Sequence, residues 1–371
     1  MQSARGKSRG KPHNLNYYNI PRSLIPSAPF CTGPSAVLGV LHVIVETTAF
    51  LAVVLSVLVP GLLLSFALLH QTNTGKFDKA MVGIILGALV PPALGVVEYL
   101  AFGVRMSFWV VLLNCALASA LGIALYYYQA RRLPRYEFSW REEYRTEEHW
   151  VKFAKSNKTA ILLGLVIAFG FYGRYATSAD PYFSEIDPYY YMLLTQYVAT
   201  DGFIPLATDM AYFPQVRSNP APPLIHYAVA GWFLIYQGIT GVSYSRDLLI
   251  AFNQLYPPLA GALLSYLGYL LVRQEADRRI ALMAAALYAF TPQLVQKMAA
   301  GVAEQQPYGL FASILVLTFY LVAVKRKSLR WGALAGLALF LLMIGSMQYI
   351  WPVAVLSAFI AVSALLDYWV G

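Results

Sequence analysis

Charge is scarce in this chain, and the scarcity excludes more than any motif does. Asp, Glu, Lys and Arg make up only 12% of the 371 residues, against 58% hydrophobic residues and a mean hydropathy of +0.56. An ordinary soluble domain is about one quarter charged, so that class is excluded. Long amphipathic helices, which a soluble protein would need to wrap all-apolar core helices, are missing as well. Two cysteines, Cys31 and Cys115, form neither a disulfide framework nor a ligand pattern. Cys115 lies in an apolar stretch and reads as a small packing residue. The formal net charge is +9, but the basic residues flank apolar stretches, the positive-inside arrangement. Nucleic acid is therefore not an expected partner; the lipid bilayer is.

What the chain has in abundance is apolar runs. They recur at about 45–70, 80–101, 106–128, 158–174, 221–240, 248–271, 280–296, 306–324 and 330–370. A crossing helix needs roughly 20 mainly apolar residues, which predicts an all-α, polytopic, multi-pass protein of the cell membrane with nine or ten spans. Residues 1–30 read as a basic, flexible tail, since no apolar segment follows the opening charges closely enough for a signal peptide. Residues 31–130 read as a small three-span module, with Pro60-Gly61 and Pro91-Pro92 expected to kink or break its helices. Glu46 and Glu98 fall in or near its spans, and an intramembrane carboxylate is a functional candidate by default. Residues 131–157 mix basic and acidic side chains and read as a cytoplasmic connector. The span at 158–174 then runs outward into an external loop, 175–219, where Asp180, Glu185, Asp187, Asp201 and Asp209 outnumber Arg217.

Two polar islands interrupt the lipid-soluble part. The first, Glu185 to Tyr191, contains Asp187-Pro188-Tyr189. Proline restricts its own φ and disfavours helix in the residue before it, so Asp187 can be presented from a turn; equally, Asp187 can cap a helix with Pro188 in its first turn. The second runs from Gln293 to Gln306 and contains Lys297 and Glu304. Basic clusters at Arg273–Arg279 and Lys325–Lys327 flank the spans around it, which puts Glu304 on the same outer side as Asp187. Two carboxylates from separate external loops can share one Mg²⁺ or Mn²⁺, ions that take oxygen ligands. Such an ion could hold the phosphate of a lipid-linked donor. The count of crossings nevertheless conflicts with the charges: spans at 221–240 and 248–271 would return the chain outside just where Arg273 to Arg279 reads as inside. One segment is miscounted, and the stretch Tyr190 to Ile204 or the Pro257-Pro258 interruption is the place expected to hide a partial or extra crossing.

In order, Asp187-Pro188-Tyr189, Thr200-Asp201-Gly202-Phe203, Tyr212-Phe213-Pro214, Pro222-Pro223-Leu224-Ile225-His226-Tyr227 and Ala300-Gly301 before Glu304-Gln305-Gln306 resemble one family. From Asp187 onward the chain resembles the N-terminal membrane part of the oligosaccharyltransferase catalytic subunit in its archaeal form. The resemblance implies a GT-C-like transmembrane module over 158–371 and a polyprenyl-phosphate-linked oligosaccharide as donor. It implies transfer to protein asparagine, with Asp187 and Glu304 as catalytic, metal-holding residues and Mn²⁺ or Mg²⁺ as the ion. Tyr189, Lys297, Gln306 and Arg217 are the donor-binding candidates. In the second motif Glu304 keeps the first acid in kind, whereas Gln306 stands at the second acidic place. The family continues beyond the position of Gly371 into further spans and a soluble acceptor-recognising domain. A second chain supplying that part, or a scaffold or transporter that handles the donor without transferring it, is the corresponding expectation.

Overall fold

The computed structural model describes residues 34–70, 72, 74–131, 157–176, 182–208, 217–218 and 221–370. The expected tail 1–30 and all but the ends of the connector 131–157 lie outside these residues. Contacts divide the chain at Ile44; of the first part only residues 34–44 are described, as helix. The described residues are almost wholly α-helical, as expected. They form α1 (Pro34–Leu68), α2 (Lys76–Phe102), α3 (Phe108–Ala130), α4 (Lys158–Tyr175), α5 (Asp187–Asp201), α6 (Leu224–Thr240), α7 (Arg246–Val272), α8 (Arg278–Phe290), α9 (Pro292–Lys297), α10 (Gln305–Lys325), α11 (Leu329–Met343) and α12 (Ile350–Val370). Two two-residue strands, β1 (Ala207–Thr208) and β2 (Arg217–Ser218), pair antiparallel between α5 and α6.

Six described helices are long and apolar enough to cross a membrane: Thr47–Leu68 within α1, then α2, α3, α7, α10 and Met347–Trp369 around α12. The nine or ten expected crossings included four segments that fold as shorter helices, α4, α6, α8 and α11. At 1.5 Å per residue, the 13 residues of α8 rise only about 20 Å, short of a hydrocarbon core of about 30 Å. The short α9 continues its path after a turn at Thr291-Pro292. The prolines do not break their helices. Pro60, Pro91, Pro92, Pro257 and Pro258 all lie inside continuous helix, because packed neighbours can satisfy the backbone groups a proline frees in a membrane interior. Gly83 and Gly87, one turn apart on α2, let α1 approach until Gly61 meets their backbone.

Hydrogen bonds sort the helix ends onto two faces. On the basic face, Tyr266 near the end of α7 donates to Asp78 at the start of α2 across 3.2 Å. There too Arg326, after α10, donates to Thr74 across 3.1 Å, and Lys325 pairs with Glu275 at 2.8 Å. On the opposite face, the Met106 amide donates to Gly202 (2.7 Å), Ala300 to Arg174 (3.2 Å) and Leu224 to Ile344 (3.0 Å). Gly202 ends α5 at φ 82°, and a Cβ there would strike Arg105 and the Met106 backbone, so only glycine fits this junction.

These contacts resolve the miscounted crossing. The start of α6 is tied to the α11–α12 turn through Leu224, and near its other end Gly238 packs on Phe108, the first residue of α3. Both ends of α6 therefore sit toward the face opposite the basic clusters, and α6 runs laterally along α5 rather than through the membrane. With α6 removed from the crossings, α7 carries the chain to Arg273–Arg279 on the basic face. The α8–α9 pair returns it to Glu304, and α10 brings it back to Lys325–Lys327. The charge pattern and the helix order then agree.

Candidate active site

Both polar islands arrive at the face opposite the basic clusters, and backbone bonds stitch them together. Ser184 donates its amide and its hydroxyl to the Gly301 carbonyl, each at 3.1 Å. Gln254 of α7 reaches the Tyr182 carbonyl at 3.4 Å. The loop from Met298 to Glu304 is buried along its whole length. Beneath it Arg174, fully buried at the end of α4, donates to the Gly170 and Tyr288 carbonyls at 2.8 Å each. A buried guanidinium is costly unless its donors are met; here it fixes α4 to α8 directly under the loop.

Glu304 precedes α10 and is only 3% exposed. Its carboxyl lies within hydrogen-bonding reach of Glu185, and one of its oxygens, Oε1, has no partner. Burial pushes the Glu304 carboxyl up to about 7, with the hydrogen bond and charge of Glu185 and the charge of Asp187 adding to the shift and Lys297 opposing it. Lys297 makes an ion pair with Glu185 at 3.6 Å. Asp187 opens α5 with Pro188 in the first turn; Ile186 holds the cap position and no side chain caps the helix. The Asp187 carboxylate thus stands exposed at the rim while Glu304 forms the floor.

A narrow cleft behind these carboxylates is lined by Tyr191, Ile225, His226, Asn253, Tyr256, Ala303, Glu304 and Gln305. Tyr191 stacks on His226 with ring centroids 6.0 Å apart. Thr195 Oγ1 lies 3.0 Å from His226 Nδ1, 3.2 Å from Asn253 Oδ1 and 3.1 Å from the Tyr191 carbonyl.

The remaining sequence candidates fall at different depths. Tyr189 is half-buried and packs edge-on against Phe183, centroids 5.1 Å apart, which anchors the segment before α5. Gln306 is exposed, whereas its neighbour Gln305 lines the cleft. Arg217 lies in β2, its Cα opposite Thr208. Glu98 is half-buried and accepts from Asn114 of α3 at 3.1 Å, a bond joining α2 to α3; the side chain of Glu46 lies outside the described residues. Glu185, Thr195, His226, Tyr256, Gln305 and Arg174 were not among the site residues expected from sequence. Arg174, a single charge at the end of an apolar run, was the one with a usable signal.

Oxygen-rich ligands at the rim and floor suit a hard divalent cation. Among the described residues no three His, Cys, Asp or Glu side chains are gathered tightly enough to hold a metal by themselves, so a cation here would need further ligand atoms from water or substrate.

Comparison with known proteins supplies a family. Residues 160–367 match the model of "Oligosaccharyl transferase STT3, N-terminal", more than half of the chain. The dolichyl-diphosphooligosaccharide–protein glycosyltransferase subunit STT3A of Oryza sativa subsp. japonica is 26% identical over 188 residues, 49% of this chain and 23% of that protein. Two solved structures of the Archaeoglobus fulgidus oligosaccharyltransferase were also found. One, tethered to an acceptor peptide with the NVT sequon, is 20% identical with a TM-score of 0.45, covering 52% of this chain and 25% of that one. The other, AglB with an inhibitory peptide and a dolichol-phosphate, is 21% identical with a TM-score of 0.44, covering 52% and 24%. The chain spans about a quarter of the length of these relatives. With a family model matched across α4 to α12, this multi-pass membrane chain belongs to the STT3 family of oligosaccharyltransferases.

Proposed function

We propose that this chain binds a polyprenyl-phosphate-linked oligosaccharide at the Asp187–Glu304 site, as the donor-binding part of an enzyme that glycosylates protein asparagine. The observation that carries the reading is the buried Glu304 carboxyl, with one oxygen unpartnered, held beside Glu185 and Asp187 by two loops stitched together. Three carboxylates so placed repel one another at neutral pH, and a divalent cation relieves that repulsion while attracting phosphate. Asp187 and Glu304 would hold Mn²⁺ or Mg²⁺, which supplies a positive charge for the lipid phosphate as it leaves. Lys297, positioned by Glu185, and Tyr189, Gln306 and Arg217 would contact the donor's phosphate and sugar. The positive-inside pattern supports a site on the outer side of the cell membrane.

In this reading residues 158–371 form a partial GT-C-like module, 31–130 an added three-span module, and 131–157 the connector between them. Acceptor recognition would lie outside residues 158–371. Reconstitution with lipid-linked oligosaccharide, acceptor peptide and Mn²⁺ tests the reading when donor binding and glycopeptide are measured separately. Metal-dependent donor binding that disappears in Asp187→Ala supports it. Donor binding unchanged by chelator and by Asp187→Ala would instead identify a scaffold or transporter of the donor.

A further inference from the structure

Helices α1 to α3 precede the family match, which begins at residue 160, and the Asp187–Glu304 reading assigns them nothing. Between α1 and α3 lies a groove of about 420 Å³, lined by Leu62, Leu63 and Phe66 on one side and Gly122, Ile123, Tyr126 and Tyr127 on the other. The numbering explains the lining, since residues one and four apart fall on one helical face. Gly122 sets the floor: a Cβ there would lie 2.7 Å from the Leu63 backbone, so the two helices touch at this point. Phe66, Ile123, Tyr126 and Tyr127 are all exposed, and the groove therefore faces the surrounding lipid. The apolar cavity between α2, α6, α7 and α10 offers only about 30 Å³, too little for a hydrocarbon chain. A methylene is about as bulky as a water, whose share of the liquid is about 30 Å³, so the α1–α3 groove has room for roughly a dozen carbons.

Depth and charge decide which lipid fits. α3 starts on the face of the polar islands, where the Met106 amide meets Gly202, and runs for 23 residues, so Tyr126 and Tyr127 near its end reach the basic face. There α2 begins, and Lys79 in its first turn holds its Nζ 6.0 Å from the centroid of the Phe66 ring, at cation–π range. Among the described residues Lys79 has no ion pair; its neighbour Asp78 accepts from Tyr266 instead. One turn beyond Tyr127, Arg131 donates its amide to the Tyr127 carbonyl at 3.1 Å and leaves its side chain exposed. An apolar groove thus opens, at its inner end, on an unpaired ammonium and two tyrosines at headgroup depth. Basic pockets between helices on the cytoplasmic side take anionic headgroups. A zwitterionic lipid would bring its own cation to a mouth that already carries Lys79 and Arg131. We infer that this groove binds an anionic glycerophospholipid of the inner leaflet, one chain lying between α1 and α3 and the phosphate on Lys79. The cation site takes no part in it, so neither reading rests on the other.

The test is native mass spectrometry of the full chain in detergent, titrated with phosphatidylglycerol or with phosphatidylcholine of matched chains. The expected result is one phosphatidylglycerol retained at concentrations where phosphatidylcholine is not. Lys79→Gln should weaken that retention about fivefold, the effect of one lysine near an anionic headgroup, and Lys79→Arg should restore it. Lys327→Gln, which removes an exposed lysine of the same face after α10, should change little. Ile123→Trp, which fills the groove, should abolish retention, with thermal unfolding checking that the fold is kept. Phosphatidylglycerol carrying a photoreactive group in its chain should label peptides of α1 and α3. Equal retention of the two lipids, or equal losses in Lys79→Gln and Lys327→Gln, would reduce the effect to the general basicity of this face and overturn the site. Retention unchanged in Ile123→Trp, or photolabel confined to other helices, would overturn it as well.

Discussion

Glu304→Gln should make the metal-free protein more heat-stable at pH 8 and leave it unchanged near pH 4. At 3% exposure the Glu304 carboxyl is pushed from an ordinary 4.5 up to about 7, chiefly by desolvation and then by Glu185 and Asp187. At about 1.4 kcal/mol per pH unit, ionising it in the folded state costs on the order of 3 kcal/mol, part of it carried by Glu185. A folded-state value above the unfolded one means that this contribution to stability is fully present below pH 4.5. It is lost as the pH rises through about 7. Glutamine keeps the shape and cannot ionise, so it removes the penalty above pH 7 and gains nothing at low pH. The assay is thermal unfolding in nanodiscs from pH 4 to 8, with chelator and then with Mn²⁺. Mn²⁺ should restore the wild type at pH 8 and leave Glu304→Gln unmoved. A wild type that matches or exceeds Glu304→Gln at pH 8 with chelator present would refute the argument that Glu304 is a strained, ion-seeking carboxylate.

Three further outcomes follow from the packing. Arg174→Met should cost roughly 3–6 kcal/mol, since two charge-assisted bonds to the Gly170 and Tyr288 carbonyls are lost at about 1.5–3 kcal/mol each. Arg174→Lys should not rescue it, because one ammonium cannot reproduce the guanidinium fork; both are read by thermal unfolding. Gly87→Leu should separate α1 from α2, because a Cβ at Gly87 already meets the Val57 backbone, and faster limited proteolysis would show it. In a background lacking Cys31 and Cys115, single cysteines at Ala221 and Gly241 should react from the same side of the membrane and one at Lys327 from the other. Labelling of 221 and 241 from opposite sides would make α6 a crossing helix after all.

Much of this architecture was legible because charge is so scarce. In a lipid-soluble chain the islands at Glu185–Tyr191 and Gln293–Gln306 stand out, and the basic clusters at Arg273–Arg279 and Lys325–Lys327 place both on one face. The lateral course of α6 was not legible from its residues, because a 17-residue helix buried over most of its length has the composition of a span. Only the conflict between crossing number and charge hinted at it, and tertiary bonds at Leu224 and Gly238 decided it. The expected breaks at the prolines do not occur, for a related reason: a helix breaker in water is tolerated where neighbouring helices meet the freed carbonyls.

The order and flanking charge of the Asp187 and Glu304 islands put both on one face, and the structure brings the two loops together there. Thr195, His226 and Asn253 could not be joined to them, since nothing in three separated segments says that α5, α6 and α7 turn those faces toward one another. Glu185 lay in view beside Asp187, but its contact with Glu304 depends on the seam between Ser184 and Gly301.

The central claim is that two loops meet to form a cation-dependent donor site, and equilibrium binding of a polyprenyl-phosphate-linked sugar to the chain in nanodiscs tests it most directly. The account predicts saturable binding that requires Mn²⁺ or Mg²⁺ and falls at least about tenfold in both Asp187→Asn and Glu304→Gln. Equal binding with chelator present, or binding untouched by both substitutions, would contradict it.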